Sequence, residues 1–441
     1  MRSPVLRRAP AQGGARDEPS RSSPDPSIAN VRPGSRFRGP TILAAGFLGN
    51  IVGVGFTLHL FGVFVQPVAQ GLGASMAVMG VAPVLWQCVN GLFNPILGRM
   101  LGPVSIRLAM VVGAALLSTG IVLLSRAESL LEAGLIYGLM ISVGSVLVGT
   151  LPAMTLVSNW YHERRGRALG IVSTGTIASG LLLPPLAAGL IGLYGWRQAF
   201  LVLGIGVAAI AIPFLLAFVV DRPELVGEAP DGRTAVEGSH RQVPATPIDM
   251  RLILADRNFW LIGLTFGLLF AAGLVPVLFT VPFAMQGGLT LQDGAWVMSA
   301  RAAAAVVGRI AIAGLSDRIG RRTALWGVIA SQILLWNVLV GADSVSVFIF
   351  ASIAIGFTGA AFALQAALVS ETFGQASFSR VMGLLYTAEL PFQLLAAPIA
   401  GYVYDSTGDY AVAFRSFMPA FFIAAIVLFF VRDGREKAQP D

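Results

Sequence analysis

The fold is decided by the stretch Gly308-Arg309-Ile310-Ala311-Ile312-Ala313-Gly314-Leu315-Ser316-Asp317-Arg318-Ile319-Gly320-Arg321-Arg322. In it, an apolar helix that carries one arginine ends in a tight turn that holds an acid and several arginines. This turn lies between two apolar segments of membrane-spanning length. Because arginine-rich loops stay on the inner side of a bilayer, the stretch predicts a cytoplasmic hinge between two transmembrane helices.

The composition of the 441-residue chain is typical of a membrane protein. The chain is 55% hydrophobic and 12% charged, whereas soluble domains carry about 25% charged residues. The net charge of +7 does not indicate nucleic-acid binding, because Lys437 is the only lysine and the arginines cluster in short loops. Cys88 is the only cysteine, which excludes an intrachain disulfide. No catalytic triad, metal cluster or nucleotide motif is present, so neither enzymatic activity nor a cofactor or metal is expected.

Twelve apolar segments have the length that a span needs, about 20 residues. They are predicted near residues 41–65, 77–98, 104–125, 131–157, 167–192, 198–220, 259–285, 291–314, 323–341, 345–369, 380–403 and 411–431. The predicted fold is an all-α membrane protein with two six-helix bundles, over 41–220 and 259–431. A disordered cytoplasmic tail over 1–40, a polar cytoplasmic linker over 221–258 and a cytoplasmic tail over 432–441 complete the expected organisation.

The distribution of arginines predicts the orientation. The loops after the even-numbered spans hold most of the loop arginines, namely Arg99, Arg107, Arg164, Arg165, Arg167, Arg222, Arg233, Arg241, Arg251, Arg257, Arg318, Arg321 and Arg322. The loops after the odd-numbered spans hold only scattered ones. Both termini are therefore expected in the cytoplasm, with the protein in the cell (inner) membrane.

The two halves repeat at a constant offset. Residues 167–170, Arg-Ala-Leu-Gly, recur 213 positions later as residues 380–383, Arg-Val-Met-Gly. At the same offset, Pro185 maps to Pro398 and Gly195 maps to Gly408. This repetition predicts two equivalent bundles around a central pathway.

The stretch at 308–322 resembles the signature loop of the major facilitator superfamily, which implies a secondary transporter built from two rocking bundles. A first-half counterpart at 95–107 is degraded, because Gly102, Pro103 and Ser105 stand where the family pattern has Asp, Arg and Gly. The second copy is therefore expected to carry most of the gating. The predicted gating residues are Gly314, Asp317, Arg318, Gly320, Arg321 and Arg322.

Two further stretches narrow this resemblance. Residues 159–170, Asn-Trp-Tyr-His-Glu-Arg-Arg-Gly-Arg-Ala-Leu-Gly, are similar to the loop and fifth helix of monocarboxylate transporters and oxalate/formate antiporters. Residues 383–389, Gly-Leu-Leu-Tyr-Thr-Ala-Glu, are similar to the eleventh-helix motif of the antiporters, in which a lysine follows Tyr-Thr-Ala. Glu389 reverses that charge, Ala305 stands where animal monocarboxylate transporters have an aspartate, and the first helix lacks their lysine. A dianion held between two cations is therefore disfavoured.

Ionisable side chains within the spans are candidate functional groups, because an unpaired charge is costly in a bilayer. Arg301 and Arg309 should lie about 12 Å apart on roughly one face of the eighth helix, where a guanidinium can grip a carboxylate with two hydrogen bonds. Arg301 could instead form a structural ion pair, and Arg309 could brace the hinge through helix-end carbonyls or Asp317. Glu389, just before Pro391, is the predicted proton-coupling residue, because a buried carboxyl holds its proton more readily. A permanent Arg–Glu bridge is the alternative.

Several other polar residues in the spans are predicted to bind the substrate. They are His59, Asn50, Gln365, Tyr386 and Gln393. Each of them could instead serve only to pack or to hydrogen-bond neighbouring helices.

The expected function is secondary active transport of a small organic anion, with a monocarboxylate favoured, by alternating access and with proton coupling. The expected partners are that anion, protons and the lipid bilayer, and a monomer is expected. Proton-antiport efflux of an amphipathic or cationic compound, with Glu389 as the counter-charge, is the alternative within transport. A transporter-like membrane sensor and a passive channel are alternatives of other classes.

Overall fold

The computed structural model describes residues 37–101, 104–162, 164–232, 250–359, 361–374 and 377–431. Most of the predicted N-terminal tail, the predicted C-terminal tail and the middle of the predicted linker (233–249) lie outside the described residues. Gly102 and Pro103 of the degraded motif lie outside them as well.

The described helices follow the order of the predicted spans, and we number them accordingly. In the first half they are α1 (Gly39–Val54, a π-helical turn Gly55–His59, and Phe61–Leu72), α2 (Met76–Met79 and Val81–Met100), α3 (Ile106–Leu124), α4 (Leu130–Leu135, π-helical Ile136–Ser142, Val143–Val148 and Thr150–Trp160), and α5 and α6, which form the run Arg165–Phe218. In the second half they are α7 (Arg257–Gln286), α8 (Leu291–Ile319), α9 (Arg321–Val340), α10 (Val345–Thr358 and Ala361–Phe373), α11 (Phe378–Thr407) and α12 (Tyr410–Arg415 and Met418–Phe429). Short helices at Pro223–Val226, Pro230–Gly232 and Met250–Ala255 lie between the halves.

Nine continuous helical segments among the described residues are long and apolar enough to cross a membrane. One of them, Arg167–Phe218, contains two predicted spans, α5 and α6, which are separated at Gly195 (φ 78°). Gly408, its equivalent in the sequence repeat, also has a positive φ of 70° and ends α11. With α10 and α11 as the remaining two spans, the described helices are consistent with the twelve that the sequence predicts.

Polar side chains fix where many of the helices begin. The N-cap side chain accepts a hydrogen bond from a backbone N–H of the first turn at Ser75, Ser105, Ser129, Asp256, Thr290, Ser344 and Asp409. These N–H groups have no partner within the helix, and such a cap contributes about 1 kcal/mol. Because they satisfy the helix ends, the caps keep the turns between spans short.

Helix α8 extends further than the sequence predicts. The predicted span ends at residue 314, whereas α8 continues to Ile319, and only Gly320 separates it from α9. Gly320 has a φ of 90°, so the chain reverses within one residue. The predicted gating residues Gly314, Asp317 and Arg318 therefore lie on the last turns of a helix and not in a loop.

The connections between helices define two faces of the bundle. The proximal face bears the start of α1, the α4–α5 connection at 161–164 and the α8–α9 turn at Gly320. The distal face bears the α1–α2, α7–α8 and α11–α12 turns, at 73–75, 287–290 and 408–409. The arginine distribution predicts that the proximal face is cytoplasmic.

Buried apolar side chains form two large clusters, one in each half. The first includes Met110, Leu117 and Trp160, and the second includes Phe266 and Trp336. Some residues in the distal parts of α1, α2, α7 and α8 pack with the cluster of the other half. Val281, Ala295 and Met298 pack with the first cluster, whereas Phe61, Val65, Ala69 and Met76 pack with the second. The two halves are therefore packed together on the distal side.

The carboxylate of Asp405 in α11 bridges the halves at the distal face. It accepts hydrogen bonds from the backbone N–H groups of Met76 (2.8 Å) and Ala77 (2.8 Å), at the start of α2. Gly401, one turn earlier, allows this approach, because a Cβ there would lie 2.4 Å from the carbonyl oxygen of Met76. A negative charge at a helix N-terminus is also favoured by the helix dipole.

Two side-chain amides make the other hydrogen bonds between the described residues of the two halves. Gln292 Nε2 donates to the carbonyl of Pro185 (3.3 Å), and Gln87 Nε2 donates to the carbonyl of Gln393 (3.3 Å). The first lies towards the distal face and the second near mid-bundle. These hydrogen bonds between the halves thus run from the middle of the bundle to its distal face.

We expect Asp405→Ala to loosen the distal contact, because it removes two hydrogen bonds to a charged group, each worth about 1.5–3 kcal/mol. Spin labels at Leu131 and Val345, which are exposed near the distal ends of α4 and α10, would report the separation of the halves by pulsed electron resonance in a Cys88→Ser background. The variant should populate longer distances. Asp343→Ala, at another exposed distal position, is the matched control, and identical distance distributions in the two variants would contradict this role of Asp405.

Candidate functional site

A cavity of about 410 Å³ lies between the two halves. Helices α1, α5, α7, α8, α9, α10 and α12 contribute to its wall. Its polar and charged wall residues are His59, Thr176, Arg301, Arg309 and Gln332, and its apolar ones include Leu58, Leu269, Phe270, Val277, Met298 and Phe421. Among the lining residues that the structure describes, none is acidic. The cavity therefore combines fixed positive charge with an apolar wall.

Arg301 of α8 is held on the cavity wall by neighbouring helices. Its Nη1 lies 3.4 Å from Thr280 Oγ1, and the Thr280 hydroxyl donates its own proton to the carbonyl of Pro276 (2.5 Å). The threonine oxygen is thus free to accept from the guanidinium. Gly356 of α10 packs directly against Arg301, because a Cβ there would lie 2.4 Å from its carbonyl oxygen and 2.7 Å from its Cγ. No carboxylate among the described residues pairs with Arg301.

Arg309 lies two turns further along α8 and lines the same cavity. Its Nε is buried and has no hydrogen-bond partner among the described residues. Asp317, the partner considered for a bracing role, instead forms an ion pair with Arg321 across the helix break. The cavity thus holds two guanidiniums without a protein counter-charge.

His59 ends the π-helical turn of α1 and faces the same cavity. Such turns are frequent at functional sites, because they rotate the residues that follow. Tyr137 of α4 donates to the carbonyl of Thr57 within this turn (2.9 Å). His59 Nδ1 lies 2.9 Å from Ser179 Oγ, and that hydroxyl donates to the carbonyl of Thr176 (2.7 Å). The serine oxygen then accepts from the histidine, which assigns a proton to Nδ1.

His59 brings a polar ring from the first half to the same site. Both Arg301 and Arg309 lie within electrostatic reach of this ring. Two guanidiniums and one imidazole, from one helix in each half, therefore meet at one cavity. Such an arrangement attracts negative charge and is strengthened by the low-dielectric surroundings.

Glu389 lies outside this cavity. It is fully buried in α11, and its Oε1 accepts a hydrogen bond from the amide of Gln365 in α10. Among the described residues, no ion pair joins Glu389 to an arginine. The Arg–Glu bridge considered from the sequence is therefore absent from this arrangement.

The remaining residues predicted to bind the substrate lie away from the cavity wall. Asn50 is fully buried, where it donates to the carbonyl of Val172 (3.0 Å) and accepts from Thr150 (2.8 Å), and so ties α1 to α4 and α5. Tyr386 is 45% exposed on α11, and Gln365 and Gln393 are not part of the wall. A role of these four residues in substrate binding stays a prediction.

The predicted gating residues connect the proximal ends of four helices in the second half. Arg321 at the start of α9 pairs with Asp317 of α8 and, at 3.4 Å, with Glu371 of α10. Arg322 donates to the carbonyl of Phe429 in α12 (2.6 Å). Arg318 is exposed. In this arrangement Arg321 and Arg322 contact described residues of their own half, and their role in gating stays a prediction.

Several polar residues that support the site are not among those predicted from the sequence. Ser179 and Thr280 hold His59 and Arg301, and Gln332 of α9 donates to the carbonyl of Ile355 (3.1 Å) behind the cavity. Hydroxyl and amide side chains are frequent between membrane helices. Their position within a span was therefore the only sign in the sequence that these residues support the site. Which of these side chains reach a basic group depends on how the helices are rotated.

Comparisons with known proteins identify the family. The model of the Major Facilitator Superfamily matches residues 45–336 and 288–441. The Rattus norvegicus protein named Monocarboxylate transporter 13 is 28% identical, with 81% of this chain and 80% of that protein covered. Monocarboxylate transporter 12 of Homo sapiens is 26% identical, with 78% and 71% covered. The uncharacterized MFS-type transporter YcxA of Bacillus subtilis (strain 168) is 23% identical, with 81% and 87% covered.

Solved structures share the fold. A bacterial homologue of the human lysosomal transporter Spinster, in an inward-facing and occupied conformation, has a TM-score of 0.70 at 17% identity, with 90% of this chain and 97% of that chain covered. A variant of the nucleoside transporter NupG has a TM-score of 0.68 at 13% identity, with 89% and 99% covered. These likenesses confirm the predicted architecture of two pseudo-symmetric helical bundles.

The family and the relatives are transporters rather than enzymes. The predicted resemblance to the monocarboxylate transporter group is confirmed by the relatives of that name. Since the family model matches nearly the whole chain, this protein belongs to the major facilitator superfamily and is a multi-pass integral membrane transporter.

Proposed function

We propose that the protein transports a small organic anion, with a monocarboxylate as the favoured cargo, by alternating access and with proton coupling. The observation that carries this proposal is the pair of guanidiniums, Arg301 and Arg309, on the wall of a cavity whose lining has no acidic residue. The names of the relatives point to the same class of cargo.

The charge of the site favours an anion. An arginine remains protonated even inside a protein, and an unpaired cation in a low-dielectric interior is costly. Arg301 has only a neutral hydroxyl at 3.4 Å, and Arg309 Nε has no partner. A cargo carboxylate would supply the missing counter-charge and accept two parallel N–H bonds from one guanidinium.

The size and the walls of the site favour a small cargo with an apolar body. The cavity volume of about 410 Å³ lies within the usual range of small-molecule sites, about 300–1,000 Å³. Leu269, Phe270 and Val277 from α7 and Phe421 from α12 supply apolar surface opposite the charged groups. A monoanion with a short carbon body satisfies both parts of the wall.

The way in which the halves meet supports alternating access. The hydrogen bonds between them run from mid-bundle to the distal face. In this arrangement we propose that the cargo exchanges through the proximal face, which the arginine distribution assigns to the cytoplasm. Rocking of the halves about the cavity would open the distal side. The protein would act as a monomer in the cell (inner) membrane.

Glu389 is the proposed proton-coupling group. It is the only acidic residue that the structure describes as fully buried. A change of its charge state therefore has a large effect on the free energy of the second half, because a buried charge is costly. Because it contacts neither cavity arginine in this arrangement, coupling would require a rearrangement of α10 and α11. Asp317, Arg321 and Arg322 would latch the alternate state from the proximal side.

Efflux of cations by proton antiport is less well supported by the site. Two arginines line the cavity, and the described part of its lining lacks an acidic residue that could neutralise a cationic cargo. Glu389, the counter-charge considered for that function, lies outside the wall. These observations favour the anion over the cation.

Uptake by proteoliposomes tests the class of cargo. We expect labelled lactate, pyruvate or benzoate to accumulate when an inward proton gradient is imposed, because the proton would compensate the charge of the anion. Liposomes without protein and liposomes with a collapsed gradient are the controls. Transport of a lipophilic cation in the absence of any carboxylate flux would contradict the proposal.

We expect Arg301→Gln to weaken anion binding about 10- to 100-fold, since a hydrogen bond to a charged group contributes about 1.5–3 kcal/mol. The anion affinity of Arg301→Lys should lie between those of Arg301→Gln and the wild type, because lysine keeps the charge but lacks the planar fork of the guanidinium. The measurement is the dependence of uptake on the concentration of the anion. Arg126→Gln, at an exposed position of the α3–α4 connection, is the matched control. Unchanged uptake by a well-expressed Arg301→Gln variant would remove this residue from the site.

We expect Glu389→Gln to abolish accumulation driven by a proton gradient while exchange of labelled for unlabelled anion persists, because the amide cannot release a proton. Both fluxes can be measured in the same proteoliposomes. Glu132→Gln, at an exposed position of α4, should retain both. Persistence of gradient-driven accumulation in Glu389→Gln would assign coupling to another group.

A further inference from the structure

Two buried side chains between α10 and α11 each carry an unsatisfied oxygen. Glu389 and Gln365 are both 0% exposed. The amide Nε2 of Gln365 donates to Glu389 Oε1. Glu389 Oε2 and Gln365 Oε1 have no hydrogen-bond partner among the residues that the structure describes. An orphan acceptor in an apolar interior costs about 1–3 kcal/mol, so two in one contact require an explanation.

The ionised form of Glu389 leaves both oxygens unsatisfied. A carboxylate is an acceptor only, and an amide offers donors on its nitrogen and an acceptor on its oxygen. The single Nε2 contact can therefore serve one carboxylate oxygen, and nothing in the pair can donate to Gln365 Oε1. Turning the amide around would bring its oxygen against a carboxylate, which repels it.

The neighbouring helices supply no counter-charge. Where α7 packs against α11, it presents Gly263 and Gly267, and where α2 approaches Leu390, it presents Gly91. Tyr386, one turn earlier on α11, is the titratable group in electrostatic contact with Glu389. No arginine, lysine or histidine among the described residues forms an ion pair with it. An isolated buried carboxylate is far more costly than a neutral acid.

We propose that Glu389 and Gln365 form a proton-binding pair, a neutral carboxylic acid joined to a primary amide by two hydrogen bonds. The acid proton on Glu389 Oε2 is donated to Gln365 Oε1, while Gln365 Nε2 donates to Glu389 Oε1. One proton thus satisfies both orphan oxygens and removes the buried charge. Gln365, considered from the sequence as a substrate ligand, is then the residue that positions the coupling proton.

Weak points in both helices lie close to the pair and provide a way to open it. Pro391 has no N–H group, so the helical carbonyl of Thr387 lacks its usual partner beside Glu389. The first segment of helix α10 ends at Thr358, and the segment that holds Gln365 begins at Ala361, four residues before it. Local movement at either point would separate acid from amide and expose the proton. This step deepens the proposed function, because it describes how the coupling proton is held.

Infrared spectroscopy of the full-length protein in lipid vesicles tests the pair. A protonated carboxyl group has a carbonyl stretching band distinct from that of a carboxylate, and exchange into D₂O shifts it. We expect the wild type to show this band at neutral pH, with the frequency lowered by hydrogen bonding. Glu389→Gln should lose the band, whereas Glu132→Gln should keep it. Loss of the amide in Gln365→Leu should move the band to higher frequency, and Gln365→Asn should restore part of the shift.

The possible outcomes separate this inference from the proposed cargo. Absence at neutral pH of any acid band that depends on Glu389 means that the carboxyl is ionised, and it overturns the pair. A band whose frequency is unaffected by Gln365→Leu in a folded protein also overturns it. If Gln365→Leu does not fold, the comparison of the wild type with Glu389→Gln alone decides whether the pair holds a proton. Carboxylate uptake without the band contradicts the proton-binding pair. The band without carboxylate uptake contradicts the proposed cargo.

Discussion

The structure depends on the cost of placing charge among lipid-embedded helices. Apolar spans tolerate an ionisable group only when it is paired, solvated or neutralised, and the described residues show each of these cases. Asp405 caps the start of another helix, Arg321 is paired with two carboxylates, and Arg301 and Arg309 face a cavity. Glu389 alone is fully buried without a cation. In the proposed cycle, the anionic cargo and a proton would neutralise the two guanidiniums and the buried acid.

The two halves share one cavity but contribute to it unequally. His59 comes from the first half and Arg301 and Arg309 come from the second, which also holds Glu389 outside the cavity. The intact signature stretch is also in the second half, where it connects α8, α9, α10 and α12. In the proposed cycle, the second half therefore holds both the anion and the proton, and the first half completes the cavity and closes the distal face.

The distal contact and the buried pair lie on the same helix, α11. Asp405 joins its distal end to α2, and Glu389 lies near its middle, next to Pro391. Pro391 removes one backbone hydrogen bond of α11 beside Glu389. In the proposed cycle, α11 would carry a change at Glu389 to the contact between the halves.

The sequence by itself determined the membrane class, the family resemblance, the helix order and the presence of charged residues in the eighth and eleventh spans. These follow from composition, hydropathy and short motifs, which depend on local chemistry. One difference between the predicted and the observed helices also has a local cause: α8 extends to Ile319 because Gly320 completes the turn within one residue. Only the tertiary structure decided that Arg301, Arg309 and His59 share a cavity, that Asn50 bonds helices together, and that Glu389 faces Gln365 instead of an arginine. The physical reason is that periodicity gives the face of a helix but not the helix that it meets, and the rotation of each span is set by packing against its neighbours.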